Sequence, residues 1–80
     1  MNTRYTVIAT RLNNQSINFE TECYDDVAKN IERLGNDIEN ITIKVTTENG
    51  VVFHQNTNLN DLDRVLALAY FVSEKSVEND

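Results

Sequence analysis

The segment Glu48-Asn49-Gly50 constrains the fold of this chain more than any other, because it separates two runs of strand-forming residues with one of only two glycines in a sequence that has no proline. Ile41-Thr42-Ile43-Lys44-Val45-Thr46-Thr47 precedes it and Val51-Val52-Phe53-His54 follows it, a pattern that predicts a β-hairpin. A two-residue Asn-Gly loop sets Val45 opposite His54, whereas a three-residue loop sets Thr47 opposite Val51 and Val45 opposite Phe53. The apolar alternation selects the second register. It implies a type I turn closed by Gly50 in the left-handed conformation, with Ile41, Ile43, Val45, Val51 and Phe53 on one buried face.

Alternation predicts another strand from Arg4 to Leu12, with Tyr5, Val7 and Ala9 on one face and Thr6, Ile8, Thr10 and Leu12 on the other. Both faces are partly apolar, as in a strand at the centre of a sheet. Asn13-Asn14 tolerates positive φ and supplies a turn into a second strand from Ser16 to Thr21, with Ile17 and Phe19 inward. Between Asp25 and Leu34, Val27, Ile31 and Leu34 recur at helical spacing, with Asp25 and Asp26 in the first turn and Gly35 just past the end. A second helix is expected from Leu59 to Glu74, capped by Asn58 or Asn60, with Leu62, Val65, Leu66, Leu68, Ala69 and Val72 on its apolar arc.

The resulting order is ββαββα. The fold class is α+β: a four-stranded antiparallel sheet with two helices packed on one face, which leaves each strand one well-defined apolar side. Residues 1–75 form a single domain, and 76–80 a polar, acidic tail. The two halves overlay about 36 residues apart, setting Thr6 on Thr42, Thr10 on Thr46, Asn13 on Asn49, Thr21 on Thr57 and Asp25 on Asp61.

Thirteen acidic residues against seven basic ones give a formal charge of -6, which disfavours direct binding of nucleic acid or of an anionic membrane. The single cysteine, Cys23, excludes an internal disulfide and suits a reducing compartment. With no apolar leader at the N-terminus and no run long enough to span a bilayer, a cytoplasmic location is expected. His54 falls on the outer face of its strand with no nucleophile beside it, and Cys23 sits among carboxylates that do not favour a thiolate nucleophile. The spacing of Glu20, Glu22, Asp25 and Asp26 matches no calcium loop, and the two isolated glycines cradle no phosphate. The chain is therefore expected to be no enzyme and to hold no metal or cofactor.

What remains is the surface. Glu20, Glu22, Asp25, Asp26, Asp37 and Glu39 are candidates to imitate the charge spacing of nucleic-acid phosphates and occupy a basic groove on a protein partner. Leu68, Tyr70 and Phe71 on the last helix are candidates for an apolar interface. In its shortness, its acidity, its abundance of asparagine and its ββαββα pattern, the whole chain resembles the small proteins of bacteriophages and mobile genetic elements, among them anti-CRISPR and anti-restriction inhibitors. That resemblance implies an inhibitor that binds a basic host protein by occlusion, and it assigns no role to a particular residue. A different expectation is a homodimeric assembly or accessory subunit, joined through the last helix or a strand edge, whose acidic surface serves solubility.

Overall fold

In the computed structural model, the backbone is described for residues 3–78 and side chains through residue 75. The elements follow one another as β1 (Arg4–Arg11), β2 (Ser16–Thr21), α1 (Tyr24–Glu32), β3 (Ile38–Thr47), β4 (Gly50–Thr57) and α2 (Leu62–Glu78). The strands form one antiparallel sheet in the order β2-β1-β3-β4. The expected α+β architecture is the one observed.

Alternation decides which face of the sheet is buried. Tyr5, Val7 and Ala9 of β1 lie opposite Val45, Ile43 and Ile41 of β3, and all six belong to the core. Val27 and Ile31 from α1 and Val65, Leu66 and Ala69 from α2 complete the same cluster, so both helices cover one face. α1 packs on β1 and β2, and α2 on β3 and β4. The other face is open and carries Thr6, Thr42, Lys44, His54 and Asn56 around a partly exposed Ile8. Threonine and asparagine there keep the open side of an antiparallel sheet wet.

The two ββα units share one register. In the first hairpin Tyr5 faces Thr21 and Ala9 faces Ile17; in the second Ile41 faces Thr57 and Val45 faces Phe53, each residue 36 positions on. Asn14 and Gly50, separated by the same interval, both adopt positive φ, at 70° and 107°. The units meet in the β1–β3 pairing, where Val7 lies opposite Ile43, its own counterpart. A local two-fold axis therefore passes through that pair. The helices need a longer approach: buried Val27 and Ile31 correspond to buried Val65 and Ala69, two positions beyond the interval kept by the strands.

Three expectations need correction. The β3–β4 loop has two residues, Glu48 and Asn49, because Thr47 pairs with Gly50 and Thr46 with Val51. The register then shifts between Val45 and Thr46, leaving Val52 as an extra residue, so Val45 still meets Phe53. A β-bulge reconciles a tight turn with an apolar face that a bulge-free two-residue loop would misalign. Its consequence is that Val51 is not buried, being 55% exposed. The last helix starts at Leu62, three residues after Leu59, because the Asn58 side-chain oxygen accepts the Asp61 N–H at 3.1 Å and holds Leu59 and Asn60 in a turn. It also continues past Glu74 to Glu78, through part of the expected tail; residues 79 and 80 lie outside the described residues.

Candidate functional site

The link from β2 into α1 assembles the first half of a candidate surface. Thr21 ends β2, and its hydroxyl oxygen accepts the Cys23 N–H at 3.1 Å and donates to an Asp26 carboxylate oxygen at 3.4 Å. The chain thereby turns within two residues, and Asp25 and Asp26 enter the first turn of α1, where the helix dipole favours them. Glu22, Cys23, Asp25 and Asp26 are all exposed.

The six proposed partner-binding carboxylates do not form one patch. Glu20, Glu22, Asp25 and Asp26 lie where Tyr5 faces Thr21, while Asp37 and Glu39 lie where β1 ends at Arg11 opposite Ile38. Six strand residues separate these places, roughly 20 Å at the usual rise per residue. Their electrostatic settings also differ. Asp37 accepts from Arg11, whose guanidinium also reaches the Leu34 carbonyl at 3.0 Å, and Glu20 lies 3.6 Å from Arg4. Among the described residues, Glu22, Asp25, Asp26 and, at the far end, Glu39 make no ion pair with a basic side chain.

Tyrosines join the two helices, and of those carboxylates Asp25 acts on the ring hydroxyls of both Tyr24 and Tyr70. The Tyr24 ring lies 5.7 Å from Tyr5 and 4.6 Å from Tyr70, centroid to centroid. The Tyr24 hydroxyl donates to the Leu66 carbonyl at 3.2 Å, and the Tyr5 hydroxyl lies 2.8 Å from buried Ser73 Oγ. Burial, followed by the nearby Tyr5 and the charges of Asp25 and Asp63, raises the Tyr24 phenol above its ordinary pKa. Tyr70 is raised chiefly by hydrogen bonding to Glu74, with further contributions from the charge of Glu74 and from Asp25. The seam between α1 and α2 is thus an aromatic strip in a negative field.

The apolar trio expected on the last helix divides. Tyr70, 43% exposed, belongs to the seam. Leu68 is 39% exposed and Phe71 58%, and the Lys75 ammonium sits 5.3 Å from the Phe71 ring centroid. At about 100° per residue Leu68 points some 160° away from Tyr70, on the flank of α2 facing away from α1.

His54 lies exposed on the open face of the sheet opposite Lys44, as its strand position implies. No pocket and no cluster of potential metal ligands occurs among the described residues, and no described helix is long and apolar enough to cross a membrane. Sequence reasoning missed the roles of Tyr5, Tyr24, Ser73 and Glu74. The i, i+4 spacing of Tyr70 and Glu74 on one helix was a local signal, whereas Tyr5 meets Ser73 and Tyr24 meets Tyr70 from distant parts of the chain. Comparisons with known proteins add no relative: no family model matches the chain, and searches of curated proteins and of solved structures return no match.

Proposed function

We propose that this chain is a non-enzymatic protein-binding protein whose partner brings a basic surface against the end formed by Glu22, Asp25, Asp26 and the tyrosine seam. The observation that carries the proposal is the pairing of carboxylates that lack an internal counter-ion with an exposed aromatic ring, Tyr70, flanked by Asp25 and Glu74. A partner arginine or lysine placed there gains from the carboxylates and from the ring face together. Where that partner's basic surface normally holds nucleic acid, binding occludes it, and the chain is an inhibitor of the kind carried by phages and mobile elements and acting in the host cytoplasm. Asp37, paired with Arg11 at the far end, has less to offer a cation.

The test uses an oligo-arginine peptide as a defined basic probe. The chain has no tryptophan, so its intrinsic emission comes from its three tyrosines, Tyr5, Tyr24 and Tyr70, all of which belong to the seam. Saturable quenching that weakens with salt, and that is lost in the Glu22→Gln/Asp25→Asn/Asp26→Asn variant but kept in Asp37→Asn/Glu39→Gln, supports the reading. Equal loss in both variants refutes it, because acidity alone then explains the binding. A second reading, a homodimeric subunit, is favoured by the exposed Leu68 and Phe71.

A further inference from the structure

The edge of the sheet at β4 and the adjoining flank of α2 make one continuous unpartnered surface. We infer that a second copy of this chain occupies it, pairing β4 with its own β4 in antiparallel fashion to give an eight-stranded sheet in which the two α2 helices lie side by side.

The first argument concerns the two edges of the sheet. β4 reads Gly50-Val51-Val52-Phe53-His54-Gln55-Asn56-Thr57, with no proline, lysine, arginine or carboxylate along it. Protected edges normally carry such residues, and beyond the bulge at Val52 this strand offers its free N–H and C=O groups unguarded. β2, at the opposite edge, carries Glu20, and the exposed residues of α1 above it are Asp25, Asp26, Ala28, Lys29 and Glu32. Of the large apolar side chains left exposed, Val51 of β4 and Leu68 and Phe71 of α2 belong to the β4–α2 half of the fold, whereas Ile8 and Leu12 lie on and just after β1 and Tyr70 in the seam.

The second argument is spacing. One helix covers each pair of strands in this fold, and two strands at about 4.8 Å occupy roughly 10 Å, the usual distance between packed helices. Extending the sheet from β4 to a partner β4 therefore brings the two α2 helices into contact without a gap or a clash. The β1–β3 junction already joins two ββα units in this way, about the axis through Val7 and Ile43.

The third argument is charge complementarity. The flank of α2 turned away from Tyr70 runs through Asp61, Arg64, Leu68, Val72 and Lys75 at helical spacing. Two antiparallel copies related by a two-fold axis at Leu68 place Leu68 against itself and, at both ends of the contact, set Asp61, whose two oxygens Arg64 of its own chain already engages at 2.9 and 2.6 Å, against Lys75 of the other copy as a third member of that ion-pair network. An isologous interface requires this self-complementarity. The surface is distinct from the tyrosine seam, so dimerisation and binding of a basic partner succeed or fail independently.

Analytical ultracentrifugation of the full chain over a range of concentrations tests the inference. The expected mass is twice the 9.2 kDa of one chain. Leu68→Arg, counted twice at the axis, is expected to raise the dimer Kd by about 100-fold, and Asp61→Lys or Lys75→Asp alone by about 10-fold. The Asp61→Lys/Lys75→Asp double variant restores the pairing with charges exchanged and is expected within about 3-fold of the parent. Circular dichroism on each variant establishes that the fold is kept. A single-chain mass at the highest concentration overturns the inference, as does a dimer indifferent to Leu68→Arg or a double variant weaker than both singles.

Discussion

Removing one hydroxyl from the Tyr5–Ser73 pair tests how the first strand is tied to the last helix. Tyr5 is 5% exposed and Ser73 2%, and their oxygens lie 2.8 Å apart. Ser73 Oγ also donates to the Tyr70 carbonyl at 2.7 Å, which uses its one proton, so Tyr5 must be the donor to Ser73. Ser73→Ala leaves the Tyr5 hydroxyl buried without its acceptor, at about 1–3 kcal/mol, offset by roughly 0.5 kcal/mol because alanine is the better helix former. Tyr5→Phe removes the donor and leaves Ser73 its bond to Tyr70, a loss of about 1 kcal/mol. The double variant has no orphaned hydroxyl, so its cost falls below the sum of the singles by about 1 kcal/mol. Urea denaturation of the four proteins with a common m-value measures this, and each kcal/mol also lowers Tm by about 4–8 °C in a domain of this size. Costs that add to within about 0.3 kcal/mol would refute the coupling and the donor assignment with it.

Gly50→Ala is expected to destabilise by about 1–2 kcal/mol although no atom lies within 4 Å of an added Cβ, because its φ of +107° is what costs a side chain; chemical denaturation measures the loss. Asn14→Gly, at φ 70°, should instead be neutral or slightly stabilising in the same assay. Ultraviolet titration should find the phenols of Tyr24 and Tyr70 ionising above the ordinary value of 10.0, with Glu74→Gln returning Tyr70 toward it. Because the folded phenols hold their protons more tightly, their contribution to stability is complete below pH 10.0 and is lost as pH rises through the folded values. Asp61 shows the opposite sign: hydrogen bonding from Arg64 lowers its pKa, so its contribution is present above 3.8 and fades as pH falls through the lowered value, and carbonyl-detected NMR titration should find Arg64→Gln returning it toward 3.8.

The order of elements, their types and the buried face of each were legible in the chain, because each depends on a short-range period. Alternation in Tyr5-Val7-Ala9 and Ile41-Ile43-Val45 names the inner face of β1 and β3 whatever they pair with. The repeat of Val27, Ile31 and Leu34 does the same for α1. The 36-residue interval was visible in scattered threonines, but only the shared register and the paired positive φ angles give it a structural meaning.

Competition between local rules was not legible. The Glu48-Asn49 turn and the Val45–Phe53 pairing each satisfy one preference, and the chain meets both by spending Val52 on a bulge, at the expense of burying Val51. Nor does sequence spacing say which carboxylates retain their field. Arg11 reaches Asp37, 26 residues on, beside the end of the β1–β3 pairing, and Arg4 reaches Glu20 across the β1–β2 pair.

Local periodicity thus determined by itself that four strands and two helices form and which side of each meets the core, since those choices are made among neighbours a few residues apart. The tertiary structure alone decided that Tyr5, Tyr24 and Tyr70 meet at one seam with Asp25 near it, that Glu20 and Asp37 are the two of the six carboxylates given a basic partner, and that Leu68 and Phe71 part company with Tyr70. Those outcomes depend on how helices separated by much of the chain are rotated and seated on the sheet, and that rotation is fixed by packing of the whole core at once.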